Sequence, residues 1–220
     1  MSIKLKGSSS GSVSIDAPAT TAGGADRTLT LPDDSGNGIV KTSTYPSSHQ
    51  VLEQFLCPCD GSAIVLQDGS KTIANVSAAQ ALTSSWADVN GSTIAYNPPT
   101  GAKLVIYEFH IPWAYADPDY PIWGLKFFID SDEVVYARRN FSSDHAEELV
   151  VFKWAINIGG SANTNTGRLA SWSSSKTLKL QAEDYSTSYD SKLFESNHHG
   201  SSSTDTFMQP LIGLTAIGAA

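Results

Sequence analysis

The sequence predicts an all-β protein: an antiparallel, jelly-roll-like β-sandwich preceded by an extended N-terminal arm. Three observations lead to this prediction: the composition, the alternation of apolar residues in the middle of the chain, and the regular spacing of turn residues. Charged residues make up 16% and apolar residues 40% of the 220 residues. Ser, Thr, Gly and Asn fill the gap, which is typical of short strands joined by polar turns. No stretch shows convincing helical periodicity.

The alternation is clearest in the segment that begins at Ala102. Two faces follow from the period of two in a strand: Leu104, Ile106, Glu108 and His110 on one, and Val105, Tyr107, Phe109 and Ile111 on the other. The second face is wholly apolar or aromatic, so we expect it to line the core.

Further strands are predicted on both sides of this segment. We expect 112–121 to be irregular because it is rich in proline. Ile122–Ile129 and 133–138 flank the polar turn at 130–132, which predicts a hairpin. Turn dipeptides such as Asp60-Gly61 and Asn90-Gly91 recur along the chain at a spacing that suits a sandwich or jelly roll.

Residues 1–50 differ from residues 51–220, and we predict a domain boundary between them. Their apolar residues form thin stripes separated by Gly- and Ser-rich turns. Such strands bury too little surface to offset the entropy of ordering them alone. We therefore expect the arm to be ordered against other copies of the chain. The predicted anchoring and inter-chain contact residues are Ile3, Leu5, Val13, Ile15, Leu29 and Leu31.

The charge and hydropathy patterns argue against several partners. The formal net charge is −8, which disfavours binding to a phosphate backbone, so we expect no nucleic-acid partner. No apolar run reaches the length of a membrane span, so we expect no membrane insertion. The segment 1–7 lacks the apolar core of a secretory signal.

Neither the two cysteines nor the two consecutive histidines form a complete disulfide or metal-binding motif. A disulfide between Cys57 and Cys59 would be strained, and the pair supplies only half of a structural zinc site. We interpret them as free thiols, with inter-chain pairing or a shared metal as the alternatives. His198 and His199 lie in a polar segment, interpreted as an exposed loop unless a threefold axis gathers three copies around an ion. We predict no metal site and no cofactor.

The segment 112–123 concentrates aromatic residues and carboxylates. The flat faces of Trp113, Tyr115 and Tyr120, together with the carboxylate of Asp117, are suited to contact a glycan. The alternative is that these aromatic side chains serve packing or subunit contacts. Pairs such as Asp130 and Asp132 resemble glycosidase carboxylates, but acidic turns are common and no nucleophile or phosphate-binding motif accompanies them. We expect that the chain is not an enzyme.

Several motifs resemble those of a known group of proteins. Lys4-Leu5-Lys6-Gly7, Ala17-Pro18 and Thr28-Leu29-Thr30-Leu31-Pro32 are similar to the N-terminal module of fibre and appendage proteins of cyanophages and other marine tailed phages. Cys59-Asp60-Gly61-Ser62, Asn97-Pro98-Pro99-Thr100-Gly101 and Phe128-Ile129-Asp130 resemble the globular domains that follow that module. The similarity covers nearly the whole chain, although its motifs are structural and not catalytic.

The resemblance implies a homotrimeric virion protein with a jelly-roll knob, assembled in the host cytoplasm. Such long tail fibres usually carry an attachment domain before the repeats, whereas this sequence starts at the module. We therefore expect a short fibre or a capsid decoration protein that contacts other virion proteins. The alternative is a tail-fibre module that binds a host surface glycan.

Overall fold

The computed structural model describes residues 2–6, 12–16, 29–30, 41–42, 50–115, 121–142, 148–186, 188, 191–196 and 206–218. The chain forms two compact units, Met1–Pro46 and Ser47–Ala220. Within the described residues there are strands and two short 3₁₀ helices but no α-helix. The prediction of an all-β protein is confirmed.

The described residues of the first unit form four short strands: β1 (Ser2–Lys6), β2 (Ser12–Asp16), β3 (Leu29–Thr30) and β4 (Lys41–Thr42). Strands β1 and β2 form an antiparallel hairpin whose register pairs Ile3 with Ile15 and Leu5 with Val13. Strands β3 and β4 pair separately, with Leu29 opposite Thr42. Four of the predicted anchoring residues are therefore cross-strand neighbours in one hairpin.

The second unit contains the remaining strands. Its first half holds β5 (Val51–Pro58), β6 (Ala63–Leu66), β7 (Gly69–Thr72), β8 (Gln80–Ala81), β9 (Ala87–Asp88), β10 (Ile94–Tyr96), β11 (Ala102–Tyr115) and β12 (Ile122–Ile129). Its second half holds β13 (Asp132–Glu133), β14 (Arg139–Ser142), β15 (Glu148–Asn157), β16 (Lys176–Asp184), β17 (Ser191–Leu193), β18 (Glu195–Ser196), β19 (Thr206–Phe207) and β20 (Leu211–Gly218). The 3₁₀ helices are Val135–Ala137 and Thr164–Thr166.

Two antiparallel sheets make up the body of this unit. In the first sheet β5 pairs with β20, β20 with β11, and β11 with β15, while β17 and β8 extend the far end of β11. In the second sheet β10 pairs with β16, β16 with β12, and β12 with β13 and β14. The first long strand thus lies beside the last, and each sheet alternates between early and late strands. This is the connectivity of a jelly roll.

The inner faces of the two sheets form the core. Val105, Tyr107, Phe109 and Ile111 of β11 are fully buried, so the face predicted from the alternation is confirmed. The ring of Tyr107 lies 5.1 Å from that of Phe127 on the second sheet, measured between centroids. Farther along β11, the centroids of Trp113 and Trp123 are 5.6 Å apart. Aromatic contacts of this kind fix the separation of the two sheets.

A buried polar network also joins the sheets, and Ser92 is its centre. The hydroxyl of Tyr107 donates to the carbonyl of Ser92 at 2.6 Å. The Ser92 hydroxyl donates to the carbonyl of Val89 at 2.7 Å and accepts from the backbone N–H of Leu180 at 3.0 Å. Burial raises the pKa of Tyr107 well above its ordinary value, so its hydroxyl remains a donor at every relevant pH. Because these groups are buried, their mutual bonds avoid a large desolvation cost.

Two predicted boundaries were wrong. The segment expected to be irregular from Pro112 is in fact strand as far as Tyr115. Pro112 is tolerated because it lies in the gap between β20, which ends its pairing at His110, and β17, which begins pairing at Trp113. The hairpin after Ile129 forms, but its second strand is only Asp132–Glu133 before a 3₁₀ turn follows.

Gly213 in β20 has a structural role that a substitution tests. A Cβ at this position would lie 2.9 Å from the Phe55 carbonyl oxygen of β5, whereas one at Gly218 would meet Leu52 at an ordinary 3.4 Å. We expect Gly213→Ala to lower the free energy of unfolding by about 1–3 kcal/mol through overpacking. Gly218→Ala, the matched control on the same strand, should be neutral or slightly stabilising. Urea denaturation measures both, and equal stabilities would contradict the close-approach argument.

Candidate assembly surface

The outer face of the first sheet is the most distinctive surface of the second unit. Strand pairing places residues of four strands on this face: Leu56 is opposite Gly213, Leu104 opposite Ile217, and His110 opposite both Leu211 and Val151. We call these apolar residues the outer apolar face: Val51, Leu56, Leu104, Ile106, Leu149, Val151, Leu211 and Ile217.

Much of this face is open to solvent. Leu149 is 57% exposed, Leu56 51%, Val51 50% and Val151 44%. A single exposed apolar side chain needs no explanation, but several on the same face of one sheet indicate a candidate interaction site. The face is therefore the candidate functional surface of the second unit.

A small polar cluster lies in the middle of the outer apolar face. The Glu108 carboxylate is 2.6 Å from Nε2 of His110 and 2.9 Å from Nζ of Lys153. Burial raises the pKa of Glu108, but the bonds from His110 and Lys153 together outweigh it, so the pKa lies below its ordinary value. Glu108 therefore stays ionised at neutral pH, and its charge is balanced by a neighbour on the adjacent strand.

The outer face of the second sheet has the opposite character. The ammonium group of Lys126 lies 3.8 Å from the centroid of the Trp86 ring. Asp88 accepts from Lys179 at 2.9 Å and from Gln181 at 2.8 Å. Burial raises the pKa of Asp88, but these bonds lower it below its ordinary value. This face is thus a charged, hydrogen-bonded surface of the kind that water covers.

The sequence interpretation placed Leu104 and Ile106 on the face of β11 opposite the core but did not identify that face as a candidate surface. The signal was present in β15, where Leu149, Val150, Val151 and Phe152 are consecutive apolar residues. A strand that is apolar on both sides is typical of burial on both sides. Only the pairing of β15 with β11 shows that its outward residues extend the same surface.

The predicted anchoring residues lie in the first unit. Ile3, Leu5, Val13 and Ile15 belong to the β1–β2 hairpin, and Leu29 begins β3. Leu31 lies outside the described residues. Their role in anchoring stays a prediction.

The predicted glycan-contact residues are only partly described. Trp113 is 1% exposed and packs edge to face against Trp123, which favours the packing alternative for this residue. Asp117 and Tyr120, and the side chain of Tyr115, lie outside the described residues. The glycan prediction for the loop as a whole therefore stays a prediction.

The cysteines are free thiols in this structure. Burial, followed by the nearby Cys57 and Asp60, raises the pKa of Cys59 to about 12. Burial and then Asp60 also raise the pKa of Cys57. Both thiols are thus protonated at neutral pH and are poor nucleophiles and poor metal ligands.

The remaining titratable candidates form no reactive group in the described ranges. The carboxylate of Asp130 is engaged by Lys176 and by the N–H of Thr177, each at 2.8 Å. Within the part of the chain that the structure describes, no three His, Cys, Asp or Glu side chains are grouped so that they could hold a metal ion. His198 and His199 fall outside it.

Comparisons with known proteins add little. No family model matches the sequence, and no curated protein matches it. A chain of the solved "Structure of infectious bursal disease virus Gt strain" is similar over 98% of this chain, with 7% identity and a TM-score of 0.32. This chain spans 46% of the length of that chain. At this TM-score the similarity carries no argument about function. No helix in the described ranges is long and apolar enough to cross a bilayer.

Proposed function

We propose that this chain is a structural protein of a tailed bacteriophage virion, a homotrimeric short fibre or capsid decoration protein. The N-terminal arm anchors it to other virion proteins, and the jelly-roll unit forms an exposed knob. Viral capsid domains often adopt jelly rolls, but so do lectins, so the fold alone does not decide between functions. The sequence motifs that resemble marine phage appendages support the assignment to a phage.

The difference between the two outer faces of the sandwich is the observation that carries the proposal. Lys126, Asp88 and Lys179 cover the second sheet, whereas Leu56, Leu149 and their neighbours leave the first sheet apolar. A monomer gains nothing from exposing such a face, because each Å² of apolar surface costs about 25 cal/mol in water. Association through the first sheet removes this cost.

The local charge pattern of the outer apolar face is compatible with a second copy of the same chain as the partner. Each chain carries a formal net charge of −8, so copies repel one another at long range. On the outer apolar face, Lys153 balances Glu108 within the same chain. Identical faces can therefore meet without placing unpaired like charges together.

Stability measurements at several protein concentrations test self-association through this face. Because an oligomer is stabilised by mass action, the urea midpoint of the wild type should rise with protein concentration. Val151→Glu introduces a charge into the outer apolar face and should remove this dependence. Val65→Glu is the matched control, since Val65 is 86% exposed on the β6–β7 hairpin, which is not part of the first sheet. A wild-type midpoint that is independent of concentration would count against the proposal.

The anchoring role is tested by loading purified full-length protein onto phage particles produced without it. Ile3→Asp with Leu5→Asp should prevent loading, because it replaces the apolar residues of β1 with charges. Lys4→Ser with Lys6→Ser, which keeps those apolar residues, should load as the wild type does. Gel quantification of washed particles gives the copy number, and electron microscopy with an antibody against the knob gives the location. Equal loading of both variants, or absence of label on intact virions, would rule out the assignment.

A further inference from the structure

A histidine belongs to the polar cluster in the middle of the outer apolar face. Nε2 of His110 lies 2.6 Å from one oxygen of the Glu108 carboxylate, and Nζ of Lys153 lies 2.9 Å from the other. An ionised carboxylate can only accept, so the ring N–H at Nε2 donates to Glu108. A neutral imidazole satisfies this bond. The cluster then has no net charge, because the charges of Lys153 and Glu108 cancel.

The strands beside His110 bring no other charge to this cluster within the described residues. On one side, β20 contains no ionisable residue. On the other side, β15 carries Lys153 and also Glu148, which lies at the first position of the strand. Farther along the sheet, Lys192 of β17 donates to Glu195 at 2.9 Å. The charge of the cluster is therefore set by three side chains, and the imidazole is the one whose type ordinarily changes charge between about pH 8 and pH 5.

A second proton on His110 has no acceptor in the part of the chain that the structure describes. The bond from Nε2 is the only hydrogen bond of the ring there. Protonation makes Nδ1 a donor as well and leaves the cluster with an excess positive charge. The side chain is 17% exposed, so water can reach the ring in the free chain. Under a layer of apolar side chains from a neighbouring copy, an unbalanced charge without solvent is strongly disfavoured.

We propose that the outer apolar face is a pH-sensitive interface, in which protonation of His110 opposes the association of copies. This inference rests on the self-association proposed above and adds the condition that reverses it. The sign follows from proton binding. An associated chain takes up a proton at His110 less readily than a free chain does, so lowering the pH shifts the equilibrium toward free chains, and raising it restores association.

A second effect of pH acts in the opposite direction. The net charge of −8 applies while the five histidines are neutral. Protonating them makes the chain less negative, which weakens the long-range repulsion between copies. This effect involves all five histidines, whereas the proposed effect involves His110 alone. A variant that lacks only the His110 imidazole therefore separates the two.

Sedimentation velocity of the full-length protein at about pH 7.5 and about pH 5.5 tests the inference. Salt at about 0.15 M shortens the Debye length to about 8 Å and screens the long-range repulsion. The measured quantity is the protein concentration at which half of the chains are associated. His110→Gln retains a side-chain N–H for Glu108 but gains no proton in this range. Each protein is compared with itself at the two pH values, so a changed affinity at the higher pH does not affect the result.

We expect the half-association concentration of the wild type to rise, from the higher pH to the lower, at least about tenfold more than that of His110→Gln, because most free histidine side chains are protonated at about pH 5.5. His199→Gln, which removes a histidine outside the cluster, should respond as the wild type does. Lys153→Gln should respond in the opposite direction relative to His110→Gln. Without the ammonium group, protonation of His110 balances Glu108 and no longer creates an excess charge.

Circular dichroism at both pH values shows whether each protein is folded, and His110→Asn replaces His110→Gln should the latter be misfolded. A wild type with the mass of one chain at both pH values would overturn this inference together with the proposed self-association. Association of the wild type with the same pH response in the His110 variant would overturn the role of His110 alone. A Lys153→Gln response in the same direction as that of the wild type would contradict the charge balance on which the inference rests.

Discussion

The structure depends on one strand, whose inner face is wholly apolar and whose outer face is apolar at Leu104 and Ile106. β11 occupies the middle of the first sheet, between β20 and β15. Its inward residues, among them Tyr107 and Phe109, are fully buried against the second sheet. Its outward residues include Leu104 and Ile106, which continue the apolar side chains of the neighbouring strands. One sandwich buries the inner face of such a strand. Burying apolar residues on its outer face requires another layer of protein.

The two sheets differ in the side chains that cover their outer faces. The second sheet covers its outer face with Asp88 and Lys179, whose ion pair faces solvent. The first sheet carries the balanced Glu108 cluster among the apolar side chains of its outer face. In the proposed assembly, this asymmetry would place the first sheet against a neighbouring copy and the second sheet against solvent.

Much of the fold could be predicted because the inner faces follow a strict period of two. The buried face of β11 and the turn after Ile129 were predicted correctly for this reason. The sequence could not show that Pro112 continues the strand, because its tolerance depends on a gap between β20 and β17, which lie far along the chain. The outer apolar face could not be predicted for the same reason, because it forms only when strands that are distant in the sequence pair. Trp113 was suited to either of two roles, and burial at 1% exposure favours packing.

The mass of the wild-type, full-length protein in solution tests this account most directly. Sedimentation velocity at micromolar concentration measures it without labels or substitutions. The account predicts a single species of three chains, each of 23.4 kDa, because in the proposed homotrimer neighbouring copies cover the outer apolar face. A stable species with the mass of one chain across the accessible concentrations would contradict it.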